Sequence, residues 1–234
     1  MNLFDDETLE ASCVVANCTM NRDRELSGSN GYARELGVEP FSMLRELLPE
    51  QRTIRWLDLC CGSGNALIEA ADQIQIEGLP VEITGVDLAG MFRSHDYPHL
   101  RLSKASLSTW RAHGTYDLIT CVHGLHYVGD KLGLIKRAGT WLRPAGRFIA
   151  NLDVANIKVR GFATSRSVVT RLREHGFEYS SRHRRLRCRH AIHFDHPFEY
   201  LGADPTAGPN YTGQPAVDSH YQKHPPTQHA ISNR

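Results

Sequence analysis

The stretch WLDLCCGSGNAL, residues 56–67, sets a glycine turn between an apolar run and a helix start. A strand that ends in such a turn and restarts as a helix presents backbone N–H groups to a ligand, and Gly62 and Gly64 allow close backbone approach. A dinucleotide fold would place a third glycine where Leu67 stands and would not place an acid inside the strand at Asp58. A phosphate-binding loop would follow the turn with Gly-Lys-Ser/Thr, which this sequence lacks. The stretch therefore reads as a ligand-binding turn that is neither a dinucleotide fingerprint nor a P-loop.

Outward from it, short apolar runs alternate with helical segments: IRWLDL, NALIEAADQI, VEITGVDL, then a turn, then LRLSKASL. YDLITCV (116–122) precedes LGLIKRAGTWL, and GRFIANLD (146–153) follows the breakers Pro144 and Gly146. Strands separated by helices need right-handed crossovers, so the chain is expected to form an α/β, Rossmann-like fold with a mostly parallel seven-stranded sheet covered on both faces. The helix SRSVVTRLREHG and the runs FEYSSRHRRLRCR and HAIHFDHPFEYL predict an antiparallel C-terminal edge on that sheet. Five arginines crowd residues 182–189, but their alternation with Leu186 and Cys188 fits a strand better than an RNA-binding patch, which would interleave aromatic residues.

At the N-terminus, Leu9, Cys13, Ala16 and Met20 fall at helical spacing behind Asp5 and Asp6, predicting one amphipathic helix that must lie on something. Gly28 and Gly31 then break the pattern as a hinge before Phe41 to Leu48. The expected organisation is a helical lid over residues 1–48, a ligand-binding core over 49–200, and a loop and tail over 201–234 that closes on the site. SGSNGY (27–32) and GADPTAGPNYTGQPAVDSHY (202–221) are rich in neutral hydrogen-bonding and aromatic residues, as lids over one small ligand would be.

With 234 residues and 41% hydrophobic content the chain can fill one core. A net charge of +1 argues against nucleic acid as a partner. The apolar runs are too short to span a membrane, and the acidic start does not read as a secretory signal, so a cytoplasmic monomer or homodimer acting on a small molecule is expected. Six cysteines without framework spacing read as reduced, mostly buried thiols. Cys188, His190, His193 and His196 form the tightest histidine-rich cluster, but on a strand His193 faces away from the first two, so no metal is expected.

The glycine stretch resembles the first motif of class I S-adenosylmethionine-dependent methyltransferases, and the resemblance extends in order through GVDLAG, KASL, YDLITCVHGLHYV and LRPAGRFIANLD, roughly residues 50–155. It implies S-adenosylmethionine as ligand, held by Asp58, Cys60, Gly62, Gly64, Asp87 and Leu88, with Ser106 and Leu107 at the adenine and Cys121 near the reacting centre. Cys60 stands where the family has its first glycine, and the usual acid near the adenine is absent around Ala105.

The acceptor chemistry is less defined. His123 and His126, spaced i and i+3 after the fourth strand, could deprotonate an acceptor, or hydrogen-bond a backbone group and face solvent. The chain is also similar to the bacterial azetidine-2-carboxylate synthases, in which the α-amine of S-adenosylmethionine attacks its own Cγ and methylthioadenosine leaves. That similarity implies intramolecular cyclisation, with a methyltransferase acting on a small metabolite as the alternative. For the cyclisation Tyr32 and Tyr211 are candidates for an aromatic face against the sulfonium. Asn151, His123 and Asn210 are candidates for contacts to amine and carboxylate.

Overall fold

The computed structural model describes residues 2–16, 23–48, 52–161 and 166–223. Its strands are β1 (Ile54–Leu59), β2 (Val81–Asp87), β3 (Leu100–Lys104), β4 (Tyr116–Cys121), β5 (Leu142–Asn151), β6 (Ile157–Val159), β7 (Glu178–Ser180), β8 (Arg185–Cys188), β9 (Phe198–Asp204) and β10 (Asp218–Lys223). The main sheet has seven strands in the order β3-β2-β1-β4-β5-β8-β7. Its first five strands are parallel, and β8 pairs antiparallel with both β5 and β7. This is the mostly parallel sheet with an antiparallel edge that the alternation of runs predicts. The strand order reverses direction about β1, and the crevice outside the carboxyl ends of β1 and β4 is where such sheets bind ligands.

The helices are α1 (Asp6–Glu10), α2 (Cys13–Ala16), α3 (Tyr32–Leu36), α4 (Pro40–Leu47), α5 (Asn65–Glu77), α6 (Lys131–Thr140) and α7 (Arg166–Glu174). Side chains of a strand alternate between faces, so β1 serves two cores at once. Ile54 and Trp56 pack with Leu36, Leu44, Leu67 and Ile74 on one side, and Leu57 and Leu59 pack with Leu132, Ile135 and Phe148 on the other. Helix α5 starts directly after Gly64 and stops at Gly78, both in the left-handed conformation, with φ of 77° and 63°.

Several expectations are corrected. The single N-terminal helix is two short helices, because the chain turns at Ala11 and Ser12 before Cys13 restarts it; Met20, the end of the expected stripe, lies outside the described residues. Between β2 and β3 the chain runs without a helix, as the turn read there from the sequence expects, and the described chain carries none between β3 and β4 either. Residues 88–99 hold Gly90, Pro98 and scattered charge without an apolar stripe, so they have no face to bury as a helix. The run HAIHFDHPFEYL does not join the main sheet; its end forms β9, which pairs with β10 in a separate three-stranded sheet ordered β6-β10-β9. Part of the segment expected to be a loop, residues 202–221, is thus strand.

This small sheet is fastened to the core through α6. The buried Lys131 Nζ donates to Val128 O, Val217 O and Ser219 Oγ at 2.8–2.9 Å, and the Tyr221 hydroxyl donates to Asp130 and accepts from Leu132 N. The N-terminus pairs with it in turn, Phe4 bridging Ala203. The arginine-rich run is strand β8, with Leu186 and Cys188 buried. From the same strand Arg185 and Arg187 donate to Glu35 O and Leu36 O, satisfying carbonyls at the end of α3.

Candidate active site

A cavity of about 240 Å³ opens at the carboxyl ends of β1, β2 and β4. Its floor is the first strand-to-helix turn, with Cys60 and Gly62, and the end of β2, with Asp87 and Leu88. Val122 and His123 form the wall that follows β4, and Leu9 and Glu10 roof it from α1.

The turn is left-handed at Cys60, Gly62 and Gly64, with φ of 60°, 61° and 77°. A non-glycine residue in this region costs about 1 kcal/mol, which Cys60 bears where glycine would not. The turn aims the Gly62 N–H at Asp87 Oδ2, 3.0 Å away, while Asp87 Oδ1 accepts from Ala89 N. Sulfur contact with Cys121 and then burial push the Cys60 thiol's pKa well up, so it stays protonated.

Asp58 sits below this surface, fully buried. It accepts a 2.6 Å hydrogen bond from the Tyr32 hydroxyl and a second from Thr120 Oγ1, which itself accepts from Trp56 Nε1 at 2.8 Å. Burial raises the carboxyl to about 7, against the lowering effect of these two donors. Neither Asp58 nor Tyr32 lines the cavity. The structure joins them to each other, locking α3 onto β1, and spends on Asp58 the hydroxyl of the ring expected to face a sulfonium.

His123 is 1% exposed and held in the left-handed conformation, φ 57°, as the chain leaves β4. Its Nε2 stands 2.8 Å from Glu35 Oε2, a charge-pair distance that falls short of hydrogen-bond alignment, and its Nδ1 has no partner. Asn151 fixes this geometry: its Oδ1 accepts from His123 N at 3.3 Å and its Nδ2 donates to Glu35 O at 3.4 Å. The contact with His123, then the charges of Arg24 and Arg34, hold the Glu35 carboxyl below its usual range despite partial burial. The rings of His126 and Tyr211 stand 5.4 Å and 6.1 Å from that of His123. Burial, reinforced by His123, Lys131 and Arg24, drives the His126 pKa well below that of a free imidazole, so it is neutral at pH 7. Asn210 closes a turn by accepting from Thr212, and its Nδ2 is buried without a partner.

A family model described as a methyltransferase domain matches residues 32–193, more than half of the chain. The chain belongs to that family. Its sheet is the Rossmann-like methyltransferase fold, and the glycine turn occupies the position the motif predicts. No curated protein matches the chain. Among solved structures, similarity extends to an S-adenosylmethionine-dependent methyltransferase from Mesorhizobium loti, 26% identical over 47% of this chain and 51% of that one, with a TM-score of 0.35. Phosphoethanolamine N-methyltransferase 2 of Haemonchus contortus, in complex with S-adenosyl-L-methionine, is 15% identical over 62% and 34% of the two chains, with a TM-score of 0.44. The plantazolicin methyltransferase BpumL, in complex with a monoazolic desmethylPZN analogue and S-adenosylhomocysteine, is 18% identical over 53% and 49%, with a TM-score of 0.43. The chain thus spans between 34% and 51% of the length of these structures.

Of the residues expected at the site of this methyltransferase domain, Cys60, Gly62, Asp87, Leu88, Leu107 and His123 line the cavity. Ser106 and Cys121 adjoin lining residues without lining it themselves, Gly64 follows Gly62 by two residues, and Tyr32, Asp58, Asn151, Asn210 and Tyr211 are set back from it. Glu35 and Glu10 were not anticipated. Both are single acids on short helices, and only the folded chain brings them to His123 and to Ser106. Among the described residues no group of three histidines, cysteines or acids could hold a metal, and no helix is long and apolar enough to cross a membrane.

Proposed function

We propose that the chain binds S-adenosylmethionine in this cavity and transfers its methyl group to a small acceptor bearing an N–H or O–H, with His123 as the base. The observation that carries the reading is His123 at the cavity wall with Glu35 behind it: a buried imidazole with an unspent Nδ1, braced by a carboxylate 2.8 Å from Nε2. The chain's own residues fit the ligand. Asp87, at the end of β2 and beside the glycine turn, suits ribose hydroxyls, and the left-handed turn at Gly62 leaves room for the amino-acid tail. When bound, S-adenosylmethionine supplies an electrophilic methyl group on a sulfonium.

His123 then accepts the acceptor's proton, and Glu35 stabilises the imidazolium that results. Asn151 keeps both in place through one backbone group on each. His126, kept neutral by burial, adds no competing positive charge next to that imidazolium. The lids expected over residues 1–48 and 201–234 enter this proposal through two contacts: α1 roofs the cavity, and the Tyr211 ring lies 6.1 Å from that of His123, tilted, and 5.5 Å from that of His126, edge-on.

Cyclisation of S-adenosylmethionine to azetidine-2-carboxylate is the second reading. What supports it is size: a cavity of about 240 Å³, partly roofed by α1, falls just under the range of ligand sites, which starts at about 300 Å³, and leaves little room for a second molecule. One experiment separates the two. Purified protein is incubated with S-adenosylmethionine, alone and with a panel of small amines, phenols and carboxylic acids, and products are followed by mass spectrometry. Methyl transfer gives S-adenosylhomocysteine only when an acceptor is present. Methylthioadenosine and azetidine-2-carboxylate in equal amounts from S-adenosylmethionine alone would replace it with the cyclase.

A further inference from the structure

The wall of the cavity farthest from His123 carries a carboxylate that does not belong to the sheet. Glu10, the last residue of α1, accepts a 2.5 Å hydrogen bond from Ser106 Oγ through its Oε1. Ser106 follows β3 and is tied to its own loop, sharing a 2.6 Å contact with Ser108 Oγ and accepting from Ser108 N. Glu10, Leu107 and Ser108 all line the cavity. Glu10 Oε2 makes no hydrogen bond among the described residues.

The strand order says which part of a nucleoside meets this wall. The glycine turn follows β1 and Asp87 ends β2, and β3 lies on the far side of β2 from β1. A ligand whose ribose is held at Asp87 and whose tail reaches back over the glycine turn must therefore extend its base towards the end of β3. There the base meets the apolar Leu107 and the Glu10 carboxylate. A carboxylate only accepts hydrogen bonds, so it pairs with an exocyclic amino group and repels a carbonyl at the same position. Arg137 also lines the cavity, donating to Leu107 O at 2.8 Å, with its Nε buried and without a hydrogen bond.

We propose that Glu10 of the N-terminal lid is the specificity residue for the base, selecting a 6-aminopurine over a 6-oxopurine. It supplies from outside the sheet the acid that the segment after β3 does not contain. The inference rests on the reading of the cavity as the S-adenosylmethionine site. It also makes α1 part of the binding site, so ligand and lid stabilise each other.

The test is calorimetric titration of the purified full chain with S-adenosylhomocysteine and with S-inosylhomocysteine, which differ at the 6-position of the base, with no turnover required. Wild type is expected to favour the adenine ligand by roughly 10- to 100-fold, the range of a charge-assisted hydrogen bond. Glu10→Gln can keep the bond from Ser106 on its carbonyl oxygen while presenting an amide N–H to the base, so it should bring the two affinities within about threefold of each other. Glu10→Ala should weaken S-adenosylhomocysteine about tenfold and leave the inosine ligand as tight as in wild type or tighter, since the carboxylate no longer opposes its carbonyl. Wild-type preference retained in both variants would overturn the assignment. An equal loss of both ligands in Glu10→Ala would also overturn it, since that is the signature of a roof that no longer packs. Wild type binding neither ligand would instead remove the reading of the cavity, and this inference with it.

Discussion

Replacing Tyr32 by Phe deletes one oxygen and tests the buried lock between α3 and β1. The hydroxyl donates to Asp58 at 2.6 Å, Asp58 is 0% exposed, and its other oxygen is held by Thr120, so no water replaces the lost donor. A hydrogen bond to an ionised group contributes about 1.5–3 kcal/mol, and one to a neutral group about 0.5–1.5. Asp58 titrates at about 7 in the folded chain, against about 3.9 when unfolded, so it is ionised at pH 8.5 and protonated at pH 5.5. The substitution should therefore cost about 2 kcal/mol at pH 8.5 and about 1 kcal/mol at pH 5.5. For a chain of this size that corresponds to a fall in Tm of about 4–8 °C and about 2–4 °C. The direction follows from proton binding: between pH 4 and 7 the native state holds a proton at Asp58 that the unfolded chain has lost, so this group's contribution to stability declines as pH rises through that window. Removing a donor to the carboxylate raises its pKa further and extends the decline to higher pH. Melts followed by circular dichroism at both pH values would measure it. Equal losses at the two pH values, or none, would show that the hydroxyl does not support a titrating carboxylate.

His123→Asn should lower turnover about 10²- to 10⁴-fold, the usual contribution of a general base, with little change in Tm because asparagine tolerates the left-handed backbone at φ 57°; a loss below tenfold would remove His123 as the base. Burial lowers the Lys131 ammonium to about 7, so the unfolded chain binds its proton more tightly and wild-type stability should rise between pH 7 and pH 10 from this group. Lys131→Met should flatten that rise in urea titrations, and an unchanged slope would mean that the amine stays charged in the fold. A Cβ at Gly124 would stand 2.6 Å from Cys60 Sγ and 2.9 Å from Cys121 Sγ, so Gly124→Ala should cost about 1–3 kcal/mol and weaken S-adenosylhomocysteine binding by distorting the turn. Wild-type affinity and Tm in that variant would show that the turn has room to shift.

What the sequence makes legible here depends on the range of the interaction. Apolar period, glycine breaks and an acid at the end of a strand are local signals, so the parallel sheet, the left-handed turn at Gly62 and the position of Asp87 can all be read from residues a few places apart. The separate β6-β10-β9 sheet could not be read that way, because β9 carries the same strand pattern whether it extends the main sheet or leaves it. Its choice is made by Lys131 and Tyr221, which tie β10 to α6 from about ninety residues away. The site shows the same division. Asp58 reads locally as a ligand contact because it precedes the glycines, yet alternation along β1 turns it to the face that α3 covers, where Tyr32 meets it. Glu35 becomes legible only once Arg185 and Arg187 of β8 close the end of α3 and hold that helix against the loop after β4. Those arginines, read from the sequence as one face of a strand, act as a clamp on the helix that carries Glu35 to His123. Neutralising Arg185 should therefore reduce turnover through His123 although Arg185 touches no ligand, and it should do so through kcat more than KM.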